Sequence, residues 1–384
     1  MFRFLTAGES HGPCLTMIVE GLPAGLVIDK ALIDADLRRR QGGYGRGGRM
    51  KIEKDAISFL SGVRHGKTLG SPITMQIENR DWVNWEERMS PAPVETEVEV
   101  VTRVRPGHAD FTGAMKYGHT DIRNVIERSS SRETAARVAV GGLCRQFLAR
   151  FGIAIHSHVL SIVDVGYETP RAITRDAYPD AMWEKVEASP MRCADEKLTG
   201  RMIERILEAK RNGDTCGGVF EAVALGVPIG LGSYSQWDRR LSTRLAMAMM
   251  SIPSAKAVEI GAGFAAARST GSQVHDVLRR SEEGQWFHLS NNAGGIEGGI
   301  SNGEPIVVRV GVKPIPTLAH PLPSVDLASG ENIDQSRYER SDVCVVPAAG
   351  VVGEAMLAIV LSEAVIEKFG GDSIDEMLRA ARMS

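Results

Sequence analysis

The stretch RSSSRETAARVAVGGLCRQFLARFG spans residues 128–152 and carries the clearest helix signal in the chain. Ser130 and Glu133 fit the S-x-x-E capping box, which predicts a helix over 134–151 that ends at Gly152. The alanines and glycines of this run permit the close approach of a second structural element. We therefore expect this helix to lie in the interior of the protein.

A second long helix is predicted over 353–368, with Gly370 and Gly371 as its stop. Apolar runs at 306–312 and 343–346 are each followed by a proline and predict strands. Strands combined with buried helices indicate an α+β protein. We expect a sheet-helix-sheet (β-α-β) sandwich in which the buried long helices lie between the sheets.

Two short segments of the chain align without gaps, IVEGLPAGL at 18–26 and VALGVPIGL at 223–231. Each reads as an apolar strand followed by a Gly-x-Pro-x-Gly turn. Downstream of each copy a strand-like run, at 51–60 and 257–260, precedes a segment rich in small residues. This pattern predicts an internal pseudo-repeat, with coincidence as the alternative at this level of similarity.

The composition indicates a globular protein, because 43% of the 384 residues are apolar and 24% are charged. No Pro/Ser-rich tether is visible, so we expect one large domain over 1–384, with pseudo-repeat halves of about 1–215 and 216–384. Apolar runs such as 356–361 are far shorter than the roughly 20 residues of a membrane span, and the first residues show no secretory pattern. We expect a cytoplasmic protein with no membrane partner.

The five cysteines are scattered without a CxxC pair, which argues against a disulfide framework and against a zinc site. The net charge of −3 disfavours binding to nucleic acid by the whole molecule. Residues 1–150 nevertheless carry 22 basic and 18 acidic residues, a local excess of four positive charges. We expect the N-terminal part of the chain to bind anions.

The motif Gly8-Glu9-Ser10-His11-Gly12 follows an N-terminal strand pattern. Its glycines let the backbone turn sharply and present a hydroxyl and an imidazole together. The motif superficially resembles the G-x-S-x-G nucleophile elbow, but no helix pattern follows it, so a serine hydrolase is the minor alternative.

Residues 38–49, RRRQGGYGRGGR, contain five arginines and no acid. In a glycine loop such a density of positive charge needs an anion or solvent to compensate it. The alternatives are a solvated loop, an RGG-like RNA contact, and a loop that closes over a small, multiply charged substrate. The third interpretation fits best, because the protein as a whole is acidic.

Two further motifs combine arginines with polar side chains. In RPGHAD, residues 105–110, the Pro-Gly turn exposes His108 beside Arg105, and a bound phosphate would favour the protonated imidazole and make it a general acid. In RSSSR, residues 128–132, a helix start, three hydroxyls and two arginines indicate an anion site. The alternatives are an exposed turn histidine and serines that only cap the helix.

Three weaker signals lie in the second half of the chain. The glycine-rich run 291–303 leads towards Lys313-Pro314-Ile315-Pro316-Thr317, and it permits close approach of the backbone to a flat or phosphorylated ligand. Arg340-Ser341-Asp342 stands directly before the predicted strand 343–346, as an ion pair or an acid/base site. GAGFAA, residues 261–266, fits G-x-G-x-x-A and makes a nicotinamide-dependent oxidoreductase the rival enzyme.

The motifs GESHG, RRRQGGYGRGGR, RPGHAD, RSSSRETAARVAVG, GGIEGGISNG, KPIPT and RSDVCVVPA occur in an order that resembles the chorismate synthase family from Gly8 to Leu361. The resemblance implies a carbon-oxygen lyase of the shikimate pathway. It would convert 5-enolpyruvylshikimate 3-phosphate into chorismate by 1,4-elimination of phosphate, with reduced FMN but no net redox change. It also implies a homotetramer, with NADPH as a possible reductant of the flavin.

The resemblance further assigns roles to individual residues. His11 would protonate the reduced flavin, His108 would donate a proton to the departing phosphate, and Asp342 would help the flavin take the C6 proton. The implied substrate-binding residues are Ser10, Arg40, Arg46, Arg105, Ser130, Arg132 and Arg340. The implied FMN-binding residues are Arg128, Ser129, Ser130, Gly298, Lys313, Pro314, Ile315, Pro316, Thr317 and Arg340. No metal is implied.

The chain departs from the family pattern at two places. Residues 252–256 read Ile-Pro-Ser-Ala-Lys where many members have Ile-Asn-Ala-x-Lys, so only a backbone contact is carried over there. Glu297 stands where the family pattern has leucine, and we expect its side chain to point to solvent.

Overall fold

The computed structural model of the chain describes residues 1–47, 53–167, 173–339 and 342–383. The helices are α1 (Lys30–Gln41), α2 (Asp110–Tyr117), α3 (Arg123–Ser129), α4 (Thr134–Ala149), α5 (Asp180–Ala188), α6 (Glu196–Arg211), α7 (Leu241–Met250), α8 (Phe264–Ala267), α9 (Gly271–Val274), α10 (Val346–Phe369) and α11 (Ile374–Met383). The strands are β1 (Arg3–Ala7), β2 (Cys14–Glu20), β3 (Ile57–Ser61), β4 (Val63–Arg64), β5 (Lys67–Thr68), β6 (Ile73–Glu78), β7 (Ala154–Ile162), β8 (Val165–Gly166), β9 (Gly218–Leu225), β10 (Ala255–Ile260), β11 (Leu278–Arg280), β12 (Trp286–His288), β13 (Ile296–Glu297), β14 (Ile300–Ser301), β15 (Ile306–Val312), β16 (Ser324–Val325) and β17 (Asn332–Ile333).

Two larger sheets organise the protein. One has the strand order β1-β2-β6-β3 and the other has the order β10-β15-β9-β7-β8. The strand pairs within both sheets are antiparallel, with Met17 opposite Met75 in the first and Val308 opposite Ala222 in the second. A dinucleotide-binding βαβ unit needs parallel strands, so GAGFAA at 261–266, which follows the antiparallel strand β10 and contains only the short helix α8, is not such a unit.

The long helices pack against strands of these sheets. Helix α4 contacts β1, β2 and β6 of the first sheet and β7 of the second, while α10 packs on α4, α1, β7 and β9. Gly141 of α4 faces α10 so closely that a Cβ there would lie 2.3 Å from the Cβ of Ala355. The small residues of α4 therefore permit the helix contact that the sequence predicts, and their burial places this helix in the interior.

The serine cluster lies between two helices instead of at the start of a lone one. Helix α3 ends at Ser129, a short 3-10 turn covers Ser131–Glu133, and α4 begins only at Thr134. The Ser130 hydroxyl accepts a hydrogen bond from the backbone N–H of Arg132. The Glu133 side chain pairs with Arg137, so Ser130 caps the 3-10 turn through Arg132 and the predicted capping box between Ser130 and Glu133 is wrong.

Helix α10 begins earlier than predicted, at Val346, and the run 343–346 is not a strand. Pro347 lies in the first helical turn, where its missing N–H costs no hydrogen bond, so this proline starts the helix instead of following a strand. Among the described residues α10 is the one helix long and apolar enough to cross a membrane. Since 89% of its apolar window is buried inside the protein, it matches the core helix of a soluble protein.

The structure confirms a fold of mixed helices and sheets, whereas the layered sandwich, the pseudo-repeat and the single domain over 1–384 stay predictions. The two aligned segments do share a local feature. Strands β2 and β9 each lead into a glycine in the left-handed region, Gly21 with a φ of 96° and Gly226 with a φ of 73°. A Cβ at either glycine would collide with a backbone oxygen, so both turns require glycine.

Candidate active site

A cleft of about 740 Å³ gathers residues from distant parts of the chain. Its walls come from the β1–β2 turn, the segment after α1, the segment after β6, the turn before α2, the α3–α4 junction, the segment after β15 and the residues before α10. The predicted site residues that line it are Ser10, His11, Arg40, Arg46, Arg105, His108, Ser129, Ser130, Arg132, Lys313, Ile315, Pro316, Thr317 and Asp342. Arg128, Gly298 and Pro314 do not line it, and Arg340 lies outside the described residues.

The lining of the cleft is strongly cationic. Seven arginines and one lysine face three carboxylates, a formal surplus of five positive charges with the histidines neutral. Other carboxylates that pair with these cations, such as Asp55 and Asp110, lie behind the lining and are buried. A polyanionic ligand is the species that such a surface attracts.

Arg40 and Arg132 form the buried floor of the cleft. The Arg40 guanidinium donates to the Thr134 hydroxyl at 2.9 Å and to the Ser131 carbonyl at 2.8 Å. Its Nη1 atom has no hydrogen-bond partner among the residues that the structure describes, and its nearest carboxylate oxygen, on Asp55, lies 3.8 Å away. Burial, together with the charges of Arg46 and Arg132, lowers the pKa of Arg40 to about 9. An anion bound here would supply the missing partner.

Arg132 is satisfied where Arg40 is not. Its Nη1 atom donates to both oxygens of Asp55 at 2.7 Å, and Nε and Nη2 donate to the Asn79 side chain at 3.0 and 2.8 Å. These contacts fix the guanidinium below the Ser130 hydroxyl, which in turn accepts from the Ser10 hydroxyl at 3.1 Å. Arg132, Ser130 and Ser10 thus form one rigid corner of the cleft.

Asp342 lines the cleft beside Arg46. Its carboxylate pairs with the Arg46 guanidinium at 2.9 Å and accepts from the backbone N–H of Gly47 at 2.5 Å. Because the run 343–346 is no strand, Asp342 does not stand at a strand edge as predicted but just before α10. Its position depends instead on the segment after α1, whose Gly45 carbonyl accepts from the N–H of Val343.

His108 lies in the Pro-Gly turn before α2, where Gly107 has a φ of 78°. The imidazole Nδ1 lies 2.5 Å from an oxygen of the buried Asp110 carboxylate. Arg105 donates to the same carboxylate from Nε at 2.8 Å and to the Thr317 hydroxyl from Nη1 at 3.1 Å. Although burial opposes the charge, hydrogen bonds from His108 and Arg105 hold the pKa of Asp110 well below its ordinary value. The ionised carboxylate therefore favours a proton on Nδ1. Nη2 of Arg105 also lies against this imidazole, 3.1 Å from Nδ1 and 3.5 Å from Nε2.

His11 lies in the β1–β2 turn, and like His108 it contacts a buried carboxylate through Nδ1. Its Nδ1 lies 2.9 Å from an oxygen of Glu127, and its backbone N–H donates to the other oxygen at 2.8 Å. The imidazole stacks on Trp85 with ring centroids 3.9 Å apart. Burial opposes the charge of Glu127, but the bonds from His11 and the charge of Arg123 keep the pKa of this carboxyl below its ordinary value.

The segment Lys313–Thr317 runs along the cleft beside the His108 turn. The Lys313 ammonium donates to the Gly107 carbonyl at 2.5 Å, and its backbone N–H donates to the Ser254 carbonyl at 2.9 Å. Burial and the neighbouring Lys256 lower the pKa of Lys313. Ser254 belongs to the departure from the family pattern, lines the cleft, and has a left-handed φ of 69°. At the departure site the Lys313 N–H and the Ser254 carbonyl therefore bond to each other.

Two predicted flavin ligands contact other parts of the protein. Arg128 is exposed and donates to the carbonyls of Thr6 and Gly8, so it supports the turn that carries Ser10 and His11. Gly298 joins β13 to β14. Their roles in flavin binding stay predictions.

The arginine-rich stretch 38–49 is not a single loop as predicted. Arg38, Arg39 and Arg40 form the last turn of α1, and their charges lie at the helix end that favours cations. Arg46 lies in the segment that follows, and 48–52 lie outside the described residues.

The chorismate synthase family model matches residues 2–366. The chain belongs to the chorismate synthase family. A chorismate synthase of Symbiobacterium thermophilum is 54% identical over 386 residues, which cover 99% of this chain and 97% of that protein. A chorismate synthase of Aquifex aeolicus is 55% identical over 382 residues, 98% of this chain and 95% of that protein. A crystal structure of chorismate synthase aligns with a TM-score of 0.81 and 45% identity, covering 100% of this chain and 96% of that one.

Membership in the chorismate synthase family confirms that this protein is a lyase that acts on a small-molecule substrate. Within the described part of the chain, no three His, Cys, Asp or Glu side chains are grouped to hold a metal ion.

Several chorismate synthase cleft residues were missed by the sequence motifs. They are Asp81, Trp85, Arg88, Arg123, Arg337, Tyr338 and Glu339, with Glu127 behind them. One usable signal exists for Trp85, since the segment 79–88, NRDWVNWEER, places two tryptophans among charged residues. Glu127 and Glu339 stand beside motifs but are common surface residues by type, so only their tertiary contacts reveal them.

Proposed function

We propose that this cleft binds 5-enolpyruvylshikimate 3-phosphate against a reduced FMN, and that His11, His108 and Asp342 serve the proton transfers. The reaction of the family is the 1,4-elimination of phosphate that yields chorismate, the last common step of the shikimate pathway. One observation carries the proposal: these three side chains and a surplus of five positive charges line the same cleft.

The charge of the substrate matches the charge of the cleft. One phosphate and two carboxylates carry about 3.5 to 4 negative charges at neutral pH. Arginine guanidinium groups bind phosphates and carboxylates through two parallel hydrogen bonds. Arg40 supports anion binding in the cleft, because its buried Nη1 atom lacks a hydrogen-bond partner among the described residues. We assign substrate binding to Ser10, Arg40, Arg46, Arg105, Ser130 and Arg132, and to Arg340 on the resemblance alone.

His108 is proposed as the acid that protonates the departing phosphate. Asp110 holds Nδ1, so we assign the proton donation to Nε2, which lies 3.5 Å from Nη2 of Arg105. Arg105 contacts the same carboxylate and lines the cleft beside the imidazole, where its charge stabilises the negative charge that develops on the leaving group. Arg105 would thus stabilise the departing phosphate with its positive charge, and His108 would protonate it.

The residues present fit a flavin mononucleotide. The volume of about 740 Å³ lies in the range of small-molecule sites, and Lys313, Ile315, Pro316 and Thr317 line the cleft. The Arg40 Nη1 atom, which has no hydrogen-bond partner among the described residues, suits a phosphate. We propose that Ser129, Ser130 and Lys313–Thr317 would hold the cofactor, with Arg128, Gly298 and Arg340 assigned by resemblance. When bound, reduced FMN supplies an electron-rich ring that stabilises the electron-poor substrate as phosphate leaves. His11 holds a proton beside it, and Asp342 is placed to accept one.

The assembly, the location and the source of electrons are finer proposals. We propose a cytoplasmic homotetramer that binds neither nucleic acid nor membrane, with NADPH as a possible reductant of FMN. The motif order and the family membership support them. Light scattering of the purified protein tests the tetramer, and an anaerobic assay with NADPH as the sole reductant tests the electron source.

The test of the proposed function is an anaerobic assay with reduced FMN and the enolpyruvyl substrate, following chorismate absorbance and free phosphate. His108→Ala should lower kcat by roughly 10²- to 10⁴-fold, the usual contribution of a positioned acid, while the Kd for FMN changes little. If kcat and FMN affinity fall by the same factor, His108 has a structural role and does not act as the acid. Wild-type protein that releases no phosphate would contradict the proposal itself.

A further inference from the structure

We propose that Glu127 is a positioning residue for His11, which it holds with Nδ1 turned away from the cleft and Nε2 available to it. The inference rests on the proposed role of His11. It adds a residue that touches neither the substrate nor the flavin in the assignments above.

The buried Glu127 carboxylate contacts His11 at two points. The carboxylate has a side-chain exposure of 2%, and it receives two groups of the same residue, the His11 ring Nδ1 at 2.9 Å and the His11 backbone N–H at 2.8 Å. An ionised carboxylate only accepts hydrogen bonds, so the proton of this contact belongs to Nδ1. One carboxylate thus determines both the backbone position and the tautomer of His11.

One face of the imidazole is restrained as well. Trp85 stacks on the ring with an angle of 22° between the planes, and the Arg123 guanidinium lies 5.2 Å from the centre of the indole. Among the described residues, the charged groups that contact His11 or its stacking partner Trp85 are Glu127 and Arg123 from α3, and Asp81 and Arg88 from the segment of Trp85. Among them, Glu127 alone contacts the ring nitrogen.

The two histidines of the cleft share this construction. Asp110 contacts Nδ1 of His108 as Glu127 contacts Nδ1 of His11. An arginine also binds each carboxylate, Arg105 for Asp110 at 2.8 Å and Arg123 for Glu127 at 3.2 Å.

Glu339 links the two constructions. Its carboxylate lies 3.1 Å from Arg123 and 3.9 Å from Arg105, so a chain of alternating charges runs from one imidazole to the other. The repetition of carboxylate, arginine and Nδ1 at both histidines favours a common purpose, which is to keep each Nε2 available to the cleft.

The experiment uses the full chain and the anaerobic assay with Glu127→Gln, because the amide keeps the shape and can still accept from the backbone N–H. We expect kcat to fall about 10- to 100-fold, as for other residues that orient a functional histidine. The substrate KM and the Kd for FMN should change less than about twofold, because the cleft lining is intact. The protonated imidazole loses its counter-charge, so the alkaline limb of the kcat–pH profile should move to lower pH.

A conservative variant and a matched control accompany it. Glu127→Asp keeps the charge and should retain the wild-type alkaline limb even where its turnover is reduced. Glu20→Gln removes an exposed carboxylate that pairs with Arg3, and it should leave both kcat and the pH profile unchanged. If Glu127→Gln also leaves the limb in place, the inference is overturned.

A double-mutant cycle separates this inference from the proposed function. In a His11→Ala background, Glu127→Gln should cause no further loss, since Glu127 acts through His11. A full additional loss would show a general structural role and overturn the inference. If His11→Ala alone leaves turnover unchanged, the proposed role of His11 fails and this inference fails with it. If His11→Ala lowers kcat while Glu127→Gln does not, only this inference fails.

Discussion

Arg39 and Arg40 are neighbours in the last turn of α1, but they belong to two different regions of the protein. Arg39 points into a buried charge network, where it donates to Glu354 at 2.7 and 2.8 Å and to Glu187 at 2.6 and 2.9 Å. Arg40 points to the cleft, where its Nη1 has no hydrogen-bond partner among the described residues. Carboxylates of the protein pair with Arg39, and we propose that Arg40 binds an anion.

The pKa values of Arg39 and Arg40 are shifted in opposite directions. Burial opposes the charge of Arg39, but Glu354 and Glu187 outweigh it and hold the pKa of Arg39 above its ordinary value. Burial and two neighbouring arginines lower the pKa of Arg40. The protein neutralises the charge of Arg39 with its own carboxylates but leaves the charge of Arg40 less compensated, which supports the proposed role of Arg40 in binding an anion.

The largest expected effect concerns the carboxylate at the centre of the structural network. Glu354→Gln leaves Arg39, Arg145 and Arg192 without their shared buried partner, and it should lower the free energy of unfolding by about 3 to 5 kcal/mol. Urea unfolding measures this change, with Glu20→Gln as the exposed control. The substrate KM should stay within about twofold. Wild-type stability in this variant would mean that the network contributes nothing.

A medium effect is expected when the two arginines are compared directly. Arg40→Gln should weaken substrate binding by about 1.5 to 3 kcal/mol, roughly 10- to 100-fold in KM, because one charged hydrogen-bond donor is lost. Arg39→Gln, the matched control one residue away, should lower stability and leave KM nearly unchanged. Steady-state kinetics measures the KM of both variants, and thermal unfolding measures their stability. Equal KM values for the two would erase the distinction between these regions.

The smallest effect is a dependence of stability on acid pH. Although burial opposes its charge, three arginines hold the pKa of Glu354 far below its ordinary value of 4.5. Its contribution is therefore present above about pH 4.5 and is lost as pH falls further, by at most about 1.4 kcal/mol per pH unit. Unfolding experiments between pH 5 and about 3.5 should show a shallower slope in Glu354→Gln than in the wild type. Parallel slopes would contradict the pairing.

Much of the candidate site could be predicted because its residues cluster in short motifs. GESHG, RPGHAD and RSSSR bring Ser10, His11, Arg105, His108 and Ser130 to the cleft. Prediction failed where a residue type is ambiguous without its neighbours. The run 343–346 is apolar enough for a strand, but Pro347 starts a helix there, and this moves Asp342 from a strand edge to a helix start.

The partners of the site residues required the tertiary structure. Glu127 lies 116 positions from His11 along the chain, and no local pattern connects them. The same holds for Glu339, which joins Arg105 and Arg123 across the cleft. Carboxylates of this kind are recognised by what they contact, so their role becomes visible only once the chain is folded.

The sequence by itself determined the family, the motif residues that form the cleft and the small residues that let α4 and α10 touch. It contained no sign of which arginine in the run 38–40 serves the fold and which serves the ligand. Successive residues of a helix point about 100° apart, so the packing of α1 against α4 and α10 assigned each side chain its surroundings. Local chemistry is encoded in residue order, but the neutralisation of a charge depends on groups that only folding brings near.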